Sequence, residues 1–281
     1  MDEQKIIATN LAKNYVIKER GLFGRKKKIV SAVKDISLEI PKGKIIGVLG
    51  INGAGKTTTI RMLASIIAPS SGTLTMNGVD AVKNHRWVKE RINVISGGER
   101  NLYWRLTAIE NLKYFGSLYG LSGVELKEKI AKLLKIVGLE EAEDIPVERY
   151  SKGMKQRLQI ARGLINDPEY IFLDEPTLGL DIVIAKEIRT MIKELAQEGK
   201  KGVLLTTHYI SEAEELCDYI YVLDNGQMIA QGTKEELKDL FASEPKMVLQ
   251  EPGLEEILMK IIYRSRGEDS EENIFGNKSR N

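Results

Sequence analysis

One cysteine, Cys217, and two histidines, His85 and His208, are all that a chain of 281 residues offers of either type. A single thiol excludes an internal disulfide and any cysteine-rich zinc site, and two imidazoles cannot build a His-based metal cage. No apolar run approaches the ~18 residues that a membrane-spanning helix needs. The first five residues, MDEQK, lack the basic-then-apolar order of a secretory leader, so a cytosolic protein is expected. Charge of one sign is also missing. The 42 Lys+Arg against 40 Asp+Glu leave a net charge of +2, which argues against general nucleic-acid binding but not against a local patch. Hydrophobic residues at 42 % and charged residues at 29 % place the chain among ordinary globular proteins, without the signature of disorder. A chain of this length buries roughly 75 % of its extended surface and makes about two domains, or one domain with a subdomain.

Residues 5–16 and 29–50 read as short strands, with 21–28, GLFGRKKK, as an exposed loop between them. Residues 44–49 form a short apolar run typical of a buried strand. Residues 57–68 carry Ile60, Leu63, Ala64 and Ile67 at helical spacing, with Pro69 and Gly72 as stops. Asn77-Gly78 and Asn225-Gly226 are hairpin signals. The middle is helical. Leu126, Ile130, Leu133, Leu134 and Val137 precede a stop at Gly138, and Ser151 caps a helix with Leu158, Ala161, Leu164 and Ile165 inward. Residues 170–173 and 202–205 are apolar throughout and flank an amphipathic helix marked by Ile184, Ile188, Met191, Ile192 and Leu195. Strand, helix and strand of this kind imply a parallel sheet covered on both faces. From about residue 265 the chain is polar and is expected to be disordered.

Two motifs carry chemistry. Residues 50–57, GINGAGKT, fit the phosphate-binding loop G-x-x-x-x-G-K-[ST], and they lie between a buried strand and a helix as that loop requires. Gly53, Ala54 and Gly55 leave room for backbone N–H groups to face phosphates, and the helix N-terminus adds positive potential. Lys56 is placed to reach the β- and γ-phosphates, Thr57 to ligate Mg²⁺, and Asn52 and Thr58 complete the cradle. The second motif is the strand 170–173 ending in Asp174 and Glu175. A buried strand delivers both to the carboxyl edge of the sheet, where nucleotides bind. There Asp174 would hold Mg²⁺ and Glu175 would polarise an attacking water, although carboxylates at strand ends can also be plain solvated or capping groups.

These residues, with four further elements in order, resemble the ATP-binding subunits of ABC transporters over roughly 4–235. Residues 150–157, YSKGMKQR, resemble the family's signature motif in the form seen in exporter-type subunits for drugs, ions and polysaccharides. Residues 175–181, EPTLGLD, resemble the loop that leads to the D-loop, and LTTH at 205–208 resembles the switch-histidine loop. Tyr15 stands where the family keeps an aromatic against adenine, with strand packing as its alternative. The resemblance implies a P-loop α/β core with a mostly parallel sheet, an antiparallel β-subdomain and an inserted helical subdomain at about 97–165. It implies ATP hydrolysis with Mg²⁺, and two subunits sandwiching two ATP molecules head to tail. Ser151, Lys152 and Gly153 would then meet the ATP held by the opposite subunit, Asp181 would organise the interface, and His208 would order the catalytic water. Ser151 and Asp181 are equally plain helix caps.

The pattern departs in two places. The position where the family carries a glutamine that touches Mg²⁺ and water is Gly98 here, with Glu99 next to it as a substitute through water. In the signature, Lys152 and Met154 replace a common Gly and Gln. Tyr103, Trp104 and Phe115 are either anchors for a helix of a transmembrane permease or core of the helical subdomain. The lysines of 24–28 read as solvated, with contact to anionic lipid as the alternative. The expected organisation is an ATP-binding domain at 1–236, a small extension at 237–264 and a disordered tail at 265–281. The expected function is that of an ATPase subunit, paired as a homodimer or heterodimer, driving a separate permease from the inner face of the membrane, in export. No nucleic-acid partner is expected. A soluble ABC-type ATPase, an ATP-gated dimerisation module with slow hydrolysis, and a small-molecule kinase are the rivals.

Overall fold

The computed structural model describes residues 4–21, 24–97 and 102–242. Among the described residues ten strands form one mixed sheet. Its parallel half runs β9(Tyr219–Asp224), β3(Ile45–Leu49), β8(Gly202–Thr207), β7(Tyr170–Asp174), β6(Ile92–Ser96), with the last at the edge. All five residues of β3 and all six of β8 are buried, as strands covered on both faces must be. Alternation sorts them between two cores. Ile171, Leu173, Val203 and Leu205 face a helical layer, whereas Tyr170, Phe172 and Leu204 face the other side.

The helical layer consists of α3(Ala108–Leu118), α4(Gly123–Val137), α5(Lys152–Gly163) and α6(Ile182–Gln197). Leu112, Leu126, Ile130, Leu158, Ile188 and Ile192 are buried against it. Gly138 ends α4 in the left-handed conformation at φ 63°. The opposite face is covered by α1(Lys56–Leu63) and α2(His85–Lys89). The lone Cys217 follows α7(Ile210–Leu216) and packs so closely against Gly47 that a Cβ at that glycine would overlap its Sγ. Burial pushes its thiol well above the ordinary range, which disfavours the reactive thiolate.

The antiparallel half is β5(Val79–Asp80), β4(Ser71–Met76), β1(Lys5–Gly21) and β2(Gly24–Pro41), joined to β9 through β10(Gln227–Gly232). The join is narrow. β2 meets β10 at the single register pair Asp35↔Gln227, supported by Lys34 N–H donating to the Gly226 carbonyl at 2.8 Å. Both hairpin signals hold. Asn77-Gly78 and Asn225-Gly226 take positive φ at both positions and turn β4 into β5 and β9 into β10.

Three expectations are corrected. Residues 24–28 are not a loop: β1 and β2 pair continuously out to Gly21↔Gly24, so the strands run well past 16 and begin well before 29. The lysine cluster looks like loop by composition, but Lys27 and Lys28 have registered partners in Lys18 and Ile17. The first helix stops at Leu63 rather than Ala68, because Ser65 turns to φ 53° before the proline is reached. The helix after Ser151 ends at Gly163, and its inward Leu164 and Ile165 are buried beyond the last turn. Residues 265–281, and most of 237–264, lie outside the described residues. The part that is described continues the last element, α8(Lys234–Ala242).

Candidate nucleotide site

The loop between β3 and α1 turns under tight steric control. A Cβ on Gly50 would collide with the Leu223 carbonyl of β9, and one on Gly55, at φ 105°, would come within 2.8 Å of the Ala32 carbonyl of β2. Gly53 takes φ 86° and faces open space. Gly55 caps α1 without a side chain, which leaves the first N–H groups of the helix free for a ligand. Glycine is therefore required twice by packing and twice by backbone conformation.

A cavity of about 350 Å³ opens above this loop. Asn52, Gly53, Ala54, Gly55, Lys56, Thr57 and Thr58 all line it, and Asp174 and Glu175 form its far wall. Lys56 is only 6 % exposed and folds back, donating to the Gly50 carbonyl at 2.6 Å and the Ile51 carbonyl at 3.2 Å. Desolvation lowers its pKa below the usual lysine range, against the pull of Glu175 and Asp174. The carboxylates reply to it. Glu175 Oε1 lies 3.6 Å from Lys56 Nζ and 3.1 Å from His208 Nδ1. Asp174 accepts from the Thr57 hydroxyl at 3.2 Å and from the Thr206 hydroxyl at 2.6 Å. Glu175 itself is held at φ 53°, a conformation that a non-glycine residue occupies at a cost of about 1–3 kcal/mol. Its N–H donates to the Thr206 carbonyl across the sheet.

The donor set fits a triphosphate with its magnesium. The loop supplies free N–H groups and one ammonium for the phosphates. One hydroxyl and one carboxylate face each other across the gap, the few oxygen ligands that magnesium takes from protein when phosphate and water supply the rest. Among the described residues no group of three His, Cys, Asp or Glu is placed to hold a metal by itself.

Other expected residues fall elsewhere. His208 leaves β8 beside the cavity and packs on the Tyr209 ring at 4.1 Å. Tyr15 does not line the cavity; its ring is half-buried with Lys13 Nζ at 5.6 Å. Its hairpin partner is Val30, two residues before the cavity-lining Ala32. Ser151 caps α5 by accepting from Met154 N–H at 3.2 Å, and Asp181 caps α6 by accepting from Ile184 N–H at 3.0 Å. Ser151 borders a separate surface depression with Met154, Arg157 and Ile184, while Lys152 is exposed and Gly153 packs on Ile184. Gly98 and Glu99 lie outside the described residues. The aromatic segment divides. Tyr103 and Trp104 are exposed, with Lys155 under the Trp104 ring at 4.7 Å, whereas Phe115 packs on the helical core with Arg162 against it.

Sequence reasoning missed Thr206 and Gly97. Thr206 is recognisable only once the register Asp174↔Thr206 is known. Gly97 donates its N–H to the Asp174 carbonyl at 2.7 Å, and a Cβ there would drive into the Glu175 carbonyl. Gly97→Ala is therefore expected to displace Glu175 and lower kcat by about 10- to 100-fold in a phosphate-release assay. An unchanged kcat would show that the close approach is dispensable.

A glycine cradle at the carboxyl edge of a parallel sheet, faced by two carboxylates, defines a P-loop nucleoside triphosphatase. The chain belongs to the ABC transporter family: the family model described as ABC transporter matches residues 33–178. It is 47 % identical over 222 residues to the ABC transporter ATP-binding protein NatA of Bacillus subtilis, covering 79 % of this chain and 90 % of that one. It is 42 % identical over 212 residues to the daunorubicin/doxorubicin resistance ATP-binding protein DrrA of Streptomyces peucetius, covering 75 % and 64 %. Among solved structures, an ATP-binding subunit of an ABC transporter superposes with a TM-score of 0.74 at 26 % identity, covering 92 % of this chain and 99 % of that one. The dimeric, post-hydrolysis cassette MJ0796 bound to ADP and Pi superposes at 0.70 and 26 % identity, over 81 % and 98 %. The chain is thus an ABC ATPase, homologous to the ATP-binding subunits of exporters. No helix among the described residues is long and apolar enough to cross a membrane.

Proposed function

We propose that this chain is the ATP-hydrolysing subunit of an exporter, working in pairs at the cytoplasmic face of a membrane and driving a separate permease. The observation that carries the catalytic part is the Glu175 carboxylate, held at φ 53° between Lys56 and His208 above the glycine cradle. In this reading Asn52, Gly53, Ala54, Gly55, Lys56 and Thr58 hold the phosphates, and Tyr15 offers its ring to adenine. Glu175 takes a proton from water as the water oxygen attacks the γ-phosphorus and the bond to the β–γ bridging oxygen breaks. His208, hydrogen-bonded to Glu175, fixes that carboxylate and contacts the γ-phosphate. Thr57 and Asp174 would hold magnesium, with Thr206 orienting Asp174, and the ion would supply charge neutralisation to the phosphates.

Pairing is supported by what one chain leaves open. Ser151, Lys152 and Gly153 lie away from their own chain's cavity, at a capped helix N-terminus suited to an anion. A second subunit would bring that end to the γ-phosphate, with Asp181 at the junction. Coupling to a permease is supported by the relatives, which include a Nod factor export ATP-binding protein at 42 % identity, and by the exposed pair Tyr103 and Trp104. The test is isolation of the tagged chain from gently solubilised native membranes. A multi-span membrane protein in stoichiometric amount is expected. A purely soluble partner overturns the coupling and points to a soluble ABC-type ATPase.

A further inference from the structure

We propose that Glu212 is a positioning residue for hydrolysis: it holds the Thr177 hydroxyl and so fixes the loop that follows Glu175 to the helix that follows His208. The two residues stand 35 positions apart in the chain, and Thr177 Oγ1 donates to Glu212 Oε1 at 2.7 Å. Both are buried, Thr177 at 6 % exposure and Glu212 at 3 %.

Each end of this bond lies a short step from a catalytic group. Glu175 leaves β7 at φ 53°, and its carbonyl accepts from Leu178 N–H at 3.2 Å, so residues 175–178 close a tight turn with Thr177 inside it. Leu178, the next residue, lines the nucleotide cavity. On the other side His208 leaves β8, Tyr209 caps α7, and Glu212 stands in the first turn of that helix. The side chains of Glu175 and His208 already meet at 3.1 Å. The Thr177–Glu212 bond joins the same two segments a second time. Two segments held at one point can pivot about it, and a second point removes that freedom. A non-glycine residue at positive φ persists where its surroundings over-determine it. Here the buried bond acts together with the bond from Glu175 N–H to the Thr206 carbonyl.

Stability alone does not ask for a glutamate at this place. Its Oε2 is buried and has no hydrogen-bond partner among the described residues. A buried acceptor left unpaired is costly, whereas apolar groups of the same shape at both ends of such a bond are close to neutral. Compensation of the helix dipole does not explain it either, because an acid in the first turn of α7 serves that purpose equally well from the solvent side. What the carboxylate supplies, and an aliphatic side chain does not, is an acceptor that keeps the Thr177 hydroxyl in one place.

The inference rests on the reading of Glu175 as the base and His208 as its partner. Its test measures phosphate release and ATP binding by the full chain carrying Thr177→Val, Thr177→Ser, Glu212→Met, or the first and last together. Thr177→Val keeps the shape and removes the donor. It is expected to lower kcat by about 10- to 100-fold while KM and the Kd for ATP stay within about twofold. Thr177→Ser keeps the hydroxyl and should retain most of kcat. The double variant should be no slower than either single one, because all three lack the same bond. An unchanged kcat in Thr177→Val, an equal loss in Thr177→Ser, a raised KM with kcat kept, or additive losses in the double variant would each overturn the proposal. The comparison of valine with serine decides the matter even where the Glu212 variants do not fold. Full turnover by Glu175→Gln would instead remove the reading of the base, whereas an unchanged Thr177→Val enzyme beside an inactive Glu175→Gln one removes only the role of Glu212.

Discussion

Glu175→Gln is expected to keep ATP binding and to cut hydrolysis by roughly 100- to 10,000-fold, the range that a positioned general base contributes. The substitution preserves shape. It removes the group that accepts the proton, and with it the negative charge that Lys56 Nζ meets at 3.6 Å and His208 Nδ1 at 3.1 Å. The second consequence is assembly. If ATP holds two subunits together and hydrolysis releases them, the variant should accumulate as a dimer in ATP and return to monomer in ADP. Phosphate release gives the first readout and size-exclusion chromatography the second. Full turnover by the variant would remove Glu175 from the mechanism. Loss of turnover without a dimer would keep the base and remove the sandwich.

Replacing the lysine of the loop should act earlier in the cycle. Lys56→Ala is expected to weaken ATP binding by about 10- to 150-fold, the worth of one charge-assisted hydrogen bond of about 1.5–3 kcal/mol. In the ligand-free protein that ammonium is buried and spends its donors on the Gly50 and Ile51 carbonyls. The alanine removes a desolvated charge along with these bonds, so the unliganded melting temperature should change far less than the nucleotide-dependent rise in it. Titration calorimetry with ATP decides the matter, and an unchanged Kd would dismiss the phosphate-loop assignment. Because desolvation pulls the Lys56 pKa below its usual value, raising the pH toward the alkaline range should weaken binding before an ordinary lysine would deprotonate.

Much of the site was open to reading because it is local. A continuous apolar strand, a glycine-rich turn and a helix start occupy neighbouring positions, so β3, the loop and α1 could be placed together. Asp174 and Glu175 follow directly on such a strand. What stayed hidden depends on partners distant in the chain. Thr206 reaches Asp174 only through the β7–β8 register, and Gly97 is constrained by the Glu175 carbonyl just past the end of β7. The far end of the β1–β2 hairpin was hidden for another reason. A lysine run has low strand propensity, and only pairing with residues 17–20 makes it a strand. The end of α1 was misplaced because Ser65 leaves the helix at a residue with no breaker chemistry. The positive φ of Glu175 has no sequence signal at all, since neither glycine nor asparagine marks it.

The narrow join between the two halves of the sheet has a consequence for the protein's birth. The phosphate loop lies early in the chain, yet its shape is held from outside by the Leu223 carbonyl, by Gly226 N–H donating to Ala54 at 3.0 Å, and by Ala32 on β2. During synthesis the loop emerges from the ribosome long before β9 and β10 do. A nascent chain stalled before residue 223 carries the complete motif and the Ala32 wall, and lacks the two supports that Leu223 and Gly226 supply. Nucleotide competence therefore arrives late in translation, when the second hairpin closes on the first.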